Sequence, residues 1–105
     1  VSAFTVRVPT LNGHGEAVWV SLDKEVNKQD VEHSLKSFDG LTYIAHDNPQ
    51  DYPFVRSTDK EYDVHVGRLH KDPNDKTTWI MWVVADNLRK GAALNGLQIA
   101  EKIFA

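Results

Sequence analysis

Alternation of apolar and polar residues predicts about five β-strands in this chain. The first covers residues 3–8 and should end at Pro9, which has no backbone N–H for a neighbouring strand. The last covers residues 77–85 and is apolar on both faces, as in a strand buried between two layers. The other predicted strands are residues 17–22, 41–45 and 63–70. Residues 46–60 are polar and predict a loop, whereas the turn at residues 72–75 predicts that the last two strands form a hairpin.

Apolar residues at helical spacing predict two helices. The first begins at Asn27, a typical N-cap, and ends before Gly40, which suits the left-handed conformation at a helix end. The second covers residues 86–104, with Asp86 as its N-cap. Its apolar residues span about half of the circumference, more than contact with a single sheet requires. We therefore expect this helix to cover a second surface besides its own sheet.

These elements together predict an α+β fold. A largely antiparallel or mixed sheet of about five strands would carry two helices on one face, and the last helix would be the long one. The chain has 105 residues, of which 41% are hydrophobic, enough for one modest core and a single domain.

Charge and composition exclude several classes of function. The net charge is −3 with scattered Lys and Arg, which argues against nucleic acid or an acidic membrane as a partner. There is no cysteine, so this chain cannot contain a disulfide or a thiol nucleophile. Its histidines are spread over several predicted elements without a closely spaced ligand pair, and we expect no metal site. Without a membrane-spanning run or signal peptide, the expected location is the cytoplasm. Because it begins at Val1, the chain is expected to be a piece of a longer protein.

Two residues are candidates for chemistry. Arg7 falls on the polar face of the first predicted strand, where its guanidinium can hold a carboxylate or phosphate with two hydrogen bonds. The alternative is an exposed strand arginine without a ligand. His14 stands between Gly13 and Gly15, so its imidazole is open to a substrate and can act as acid or base near neutral pH. Taken alone, a histidine at such a position is more often just a turn residue.

A family resemblance rests on five motifs. In chain order they are VRVP at residues 6–9, GHGEA at 13–17, VGRL at 66–69, DNLRKGAALN at 86–95 and QIAE at 98–101. Their order and spacing resemble the C-terminal part of the aspartate-semialdehyde dehydrogenases, over nearly the whole chain. The resemblance implies that residues 1–105 are a single substrate-binding and dimerisation domain, part of a larger two-domain dehydrogenase fold whose Rossmann domain for NADP is absent here.

The resemblance also implies residue roles. Enzymes of this family reduce L-aspartyl 4-phosphate to L-aspartate 4-semialdehyde with NADPH, for lysine, methionine and threonine synthesis. Arg7 would hold the substrate carboxylate, and His14 would transfer protons as acid or base. Asn87 would lie at the nicotinamide end of NADP. The expected partners are the small-molecule substrate, the missing dinucleotide-binding domain and a second subunit in a homodimer or higher assembly.

The sequence departs from the family pattern in features that the family needs for activity. The nucleophilic cysteine, the glycine-rich loop, and the glutamine and glutamate of the substrate site are absent, so the chain alone should bind NADP weakly or not at all and have no turnover. Gly15 stands where a serine is common, and His70 where an arginine is common. Two other interpretations remain open: a relative of N-acetylglutamyl-phosphate reductase, and a noncatalytic dimerisation module.

Overall fold

The computed structural model describes residues 1–54 and 62–105 as a five-stranded sheet with two α-helices. The elements are β1 (Ser2–Thr5), β2 (His14–Ser21), α1 (Lys28–Ser37), β3 (Leu41–Tyr43), β4 (Val64–Lys71), β5 (Thr78–Ala85), a π-helical turn (Arg89–Ala93) and α2 (Leu94–Phe104). The strand order is β1-β2-β5-β4-β3, and every pair is antiparallel except β3–β4. The predicted fold class and the β4–β5 hairpin are therefore confirmed.

The strand ends near the N-terminus differ from the prediction. β1 ends at Thr5 because its register with β2 stops at the pair Thr5 and Glu16, so Arg7 lies in the connection after the strand and not on it. Conversely, His14 and Gly15, which precede the predicted strand 17–22, are the first two residues of β2 and pair with β5. Alternation continues through residues 6–8, but a strand also needs a paired neighbour. Of the predicted loop 46–60, residues 55–60 lie outside the described residues.

Strand β5 forms the centre of the core. Trp79 is only 2% exposed, and Val84, which points to the opposite face, is 1% exposed. The Trp82 face is covered in part by buried Pro53, whose carbonyl accepts a hydrogen bond of 3.0 Å from Trp82 Nε1. Gly67 permits this approach, because a Cβ at that position would collide with the Pro53 ring. Residues on both faces of β5 are thus buried, as the apolar pattern of this strand predicts.

The β4–β5 turn is held by one carboxylate. Asp75 accepts hydrogen bonds from the Thr78 hydroxyl and from the Thr77 backbone N–H and hydroxyl. These bonds, with the one from Thr78 the largest effect, hold the pKa of Asp75 below its usual range. The turn therefore favours the ionised carboxylate and fixes the register at the start of β5.

Helix α1 matches its predicted boundaries. Asn27 caps it by accepting a 2.9 Å hydrogen bond from the Asp30 N–H, and Gly40 beyond the helix has φ of 76°. Tyr43 on β3 donates a 3.0 Å hydrogen bond to Glu32 of α1, which attaches the helix to the edge of the sheet.

The C-terminal helical segment departs from the prediction in two ways. Asp86 does cap it, since its carboxylate accepts hydrogen bonds from the N–H groups of Leu88 and Arg89. The first turns are π-helical, however, and α2 begins only at Leu94. The expectation that this helix packs on its own sheet is wrong: α2 mainly contacts the π-helical turn. Its side chains Leu97, Ile103 and Phe104 are 57%, 66% and 85% exposed. The segment leaves the sheet at the end of β5, which directs α2 away from the strands.

We expect Tyr43→Phe to lower the free energy of unfolding by about 1 kcal/mol near pH 7, because the hydrogen bond to Glu32 is lost. Burial, and next the hydrogen bond to Glu32, raise the pKa of Tyr43 from 10.0 to about 12. The neutral phenol is thus favoured in the folded state, so its stabilisation is complete below pH 10 and is lost as the pH rises to about 12. Urea unfolding between pH 7 and 11 measures both effects.

The exposed Tyr62 offers the control, since Tyr62→Phe removes a hydroxyl and should leave both stability and alkaline pH dependence unchanged. If Tyr43→Phe kept the alkaline loss of the unsubstituted chain, ionisation of the Tyr43 phenol would not be its source.

Candidate active site

The three residues that the sequence singled out line one cavity. Arg7, His14 and Asn87 come from the β1–β2 connection, the start of β2 and the start of the C-terminal helical segment, and together they border a space of about 540 Å³. Cavities of several hundred Å³ are the usual size for small-molecule ligands. The apolar part of the wall comes from Phe4, Val6, Val8, Leu11 and Trp82. The cavity therefore combines a cation, an imidazole and an amide within a largely apolar wall.

Arg7 presents its charge to this space. The residue is exposed, and within the described part of the chain no ion pair or hydrogen bond occupies its guanidinium. Its planar donors can therefore bind two oxygens of a carboxylate or phosphate. This chemistry is the one expected from the sequence, although Arg7 is held by a connection and not by a strand.

His14 is paired with an acidic neighbour that sequence reasoning missed. Its Nε2 lies 3.5 Å from Oε1 of Glu16, with 46% and 38% of the two side chains exposed. Residues two apart on a strand point to the same side, which is the signal that could have identified Glu16. A carboxylate beside the ring is a potential acceptor for the imidazole N–H.

Asn87 connects the helical segment to the loop before His14. Its Oδ1 accepts a 2.9 Å hydrogen bond from the Gly13 N–H, and Gly13 has a φ of 87°, which glycine adopts without steric cost. The side-chain amide N–H groups of Asn87 have no partner among the described residues. They remain available to an oxygen atom of a ligand in the cavity.

Trp82 closes one side of the cavity and depends on Gly15. A Cβ at Gly15 would collide with Cζ2 of the Trp82 ring, so only glycine leaves room for the indole in this position. Trp82 belongs to the strand that the sequence predicted to be buried between two layers, and its burial is intermediate. Its role as a wall of the cavity follows from the pairing of Ala17 with Trp82, which places Gly15 next to the ring.

The described residues contain neither a metal-binding cluster nor a membrane-spanning helix. Within residues 1–54 and 62–105, no group of three or more His, Cys, Asp or Glu side chains is arranged to hold a metal ion. Over those ranges, too, no helix has the length and hydrophobicity to cross a membrane.

Comparison with known proteins identifies the family. The family described as "Semialdehyde dehydrogenase, dimerisation domain" matches residues 1–90, and this chain belongs to it. More particularly, the chain is similar to aspartate-semialdehyde dehydrogenases. It is 43% identical to that of Aquifex aeolicus over 96% of this chain and 30% of the relative. It is 38% identical to that of Bacillus subtilis over 98% of this chain and 30% of the relative.

A solved structure is similar as well. Aspartate semialdehyde dehydrogenase II from Vibrio cholerae, complexed with ASA, superposes with a TM-score of 0.80 and 40% identity, over 90% of this chain and 28% of that one. The chain thus spans about 30% of the length of the curated relatives it matches. The resemblance carried by the sequence motifs is confirmed.

We expect Gly15→Ser to displace Trp82 and to lower the free energy of unfolding by about 1–3 kcal/mol, the usual cost of overpacking. The displacement should also weaken the hydrogen bond from Trp82 Nε1 to Pro53. Chemical unfolding measures the loss, and near-ultraviolet circular dichroism reports the indole environment.

Gly96→Ser is the matched control, because nothing lies within 4 Å of a Cβ at Gly96. Equal stability and equal indole spectra in the two variants would contradict the packing of Trp82 against Gly15.

Proposed function

We propose that this chain is the C-terminal substrate-binding and dimerisation part of an aspartate-semialdehyde dehydrogenase. The complete enzyme would make L-aspartate 4-semialdehyde from L-aspartyl 4-phosphate by NADPH-dependent reductive dephosphorylation, in lysine, methionine and threonine synthesis. The observation that carries the proposal is the convergence of Arg7, His14 and Asn87, from three separate motifs, on one cavity. The names of the similar proteins support the same substrate. The expected location of such an enzyme is the cytoplasm.

The chemistry of the Arg7 and His14 side chains suits each of them to one role in the reaction. The Arg7 guanidinium binds the substrate carboxylate with two hydrogen bonds and fixes the orientation of the acyl group. The His14 imidazole takes the proton of the attacking thiol and later returns a proton to the substrate oxygen. Because the chain has no cysteine, that thiol belongs to another part of the complete polypeptide. The chain alone therefore has no turnover in this proposal.

The residues present also fit one end of a nicotinamide cofactor. The free amide N–H groups of Asn87 are donors suited to a carboxamide oxygen at the cavity wall. When bound, the cofactor supplies the hydride for the reduction. The rest of the cofactor would be held by the dinucleotide-binding domain.

Association with a second subunit is part of the same proposal. The family is a dimerisation domain, and apolar side chains remain exposed on α2 and on the β1 side of the sheet. Large exposed apolar surfaces commonly mark protein interfaces. A noncatalytic dimerisation module is the second candidate, and it predicts no effect of Arg7 or His14 on turnover. The relatives' names favour aspartyl phosphate over N-acetylglutamyl phosphate, and assaying both acyl phosphates with the complete enzyme distinguishes these reductases.

In the complete polypeptide, we expect His14→Asn to lower kcat by about a hundredfold or more, because a positioned acid or base contributes that much. The KM for substrate should change little, since the asparagine leaves Arg7 in place. Steady-state kinetics with aspartate semialdehyde, NADP and phosphate measure both parameters in the reverse direction. His33, exposed on α1, is the control: His33→Asn should retain full activity. Equal kcat in both variants would favour the noncatalytic module.

We expect Arg7→Lys to raise the KM for aspartate semialdehyde about tenfold, because lysine keeps the charge but loses the two-pronged geometry. Arg68 does not border this cavity, so Arg68→Lys is the matched control and should leave KM unchanged. The same kinetic assay measures both variants. A loss confined to kcat in Arg7→Lys would argue against the carboxylate contact.

A further inference from the structure

The hydrogen bond between Asn87 and Gly13 extends the β2–β5 pairing beyond its last main-chain pair. That last pair is His14 with Ala85. Asn87 follows Ala85 by two residues, and its side-chain Oδ1 accepts the N–H of Gly13, the residue directly before His14, at 2.9 Å. The backbone of His14 is therefore fixed on one side by the sheet and on the other by the Asn87 side chain.

The His14 side chain has little else to fix it. It is 46% exposed, and its contact with Glu16 is 3.5 Å long. Gly13 has a φ of 87° and no side chain, so without a hydrogen bond its peptide group is free to rotate. The direction in which the imidazole leaves the strand thus depends on the acceptor that holds Gly13.

Asn87 is well placed to serve as that acceptor. The preceding residue, Asp86, accepts hydrogen bonds from the N–H groups of Leu88 and Arg89, and its own carbonyl accepts from the Lys90 N–H at 2.9 Å. Asn87 therefore lies within a capped turn that leads into the π-helical turn, a type of irregularity that is frequent at functional sites.

We propose that Asn87 is a positioning residue for His14, acting through Gly13, in addition to contacting the cofactor. Its oxygen holds the loop that places the imidazole, and its amide N–H groups face a ligand. This inference rests on the proposed function only in assigning proton transfer to His14. One side chain then links the cofactor end of the cavity to the group that transfers protons.

A double-mutant cycle in the complete polypeptide tests this role. We expect Asn87→Ala to lower kcat about tenfold or more, since a small misplacement of a catalytic group is costly. At saturating NADP, where a lost cofactor contact should appear in the KM for NADP, the double variant with His14→Asn should have the kcat of His14→Asn alone, within about twofold, if Asn87 acts through His14. Where His14→Asn itself lowers kcat, multiplicative losses, or an unchanged kcat in Asn87→Ala, would overturn the proposal. Asn95→Ala, on an exposed part of α2, is the control and should retain kcat.

Amide hydrogen exchange separates this inference from the proposed function. In the 105-residue chain, we expect Asn87→Ala to speed exchange of the Gly13 amide about fivefold and to shift the His14 ring signals in NMR spectra. Asn87→Asp keeps an acceptor oxygen and loses the donors, so Gly13 exchange should stay within about twofold of the unsubstituted chain.

The kcat and Gly13 exchange measurements distinguish failure of the proposed chemistry from failure of the positioning role. If His14→Asn has no effect on kcat but Gly13 exchange responds as expected, the proposed chemistry fails and the positioning contact stands. If Gly13 exchange and the His14 signals are unchanged in Asn87→Ala, or if Asn87→Asp exchanges as fast as Asn87→Ala, the positioning role is wrong.

Discussion

The pairing of β2 with β5 is the constraint on which the candidate site depends. All eight residues of β2 pair with β5, from His14 opposite Ala85 to Ser21 opposite Thr78. Because β5 lies between β2 and β4 and is apolar on both faces, its position in the sheet is fixed by burial as well as by hydrogen bonds. A shift of one residue would exchange the two faces of β2 and move His14 away from the end of β5.

The same pairing explains why distant residues meet. The chain leaves β5 at Ala85 and begins the helical segment at once, so Asn87 reaches the end of β2 where His14 begins. Trp82 lies opposite Ala17 on the same face and closes the space that Gly15 leaves open. Arg7 is brought to that space by the connection between β1 and β2, whose ends are set by the pair Thr5 and Glu16.

Local chemistry explains which features the sequence could predict. Asn27 and Asp86 were recognised as caps because the bonds they make join residues only two or three positions apart. The end of β1 and the start of β2 were misplaced because strand ends depend on a partner that the alternation pattern does not show. The roles of Arg7, His14 and Asn87 came from motifs, whereas their convergence on one cavity and the contact of His14 with Glu16 are tertiary facts.

For α2, the sequence correctly predicted a wide apolar face, but the expectation that the sheet covers part of it was wrong. The wide apolar face was recognised, but the sheet does not cover it, and Leu97, Ile103 and Phe104 are exposed. An eleven-residue helix is marginal by itself in water and normally depends on packing of its apolar face. No strand makes extensive contact with this face in the described residues, and the family match over residues 1–90 ends before α2 begins. Because α2 continues directly from the turn that holds Asn87, any surface that packed on this helix would adjoin one wall of the cavity.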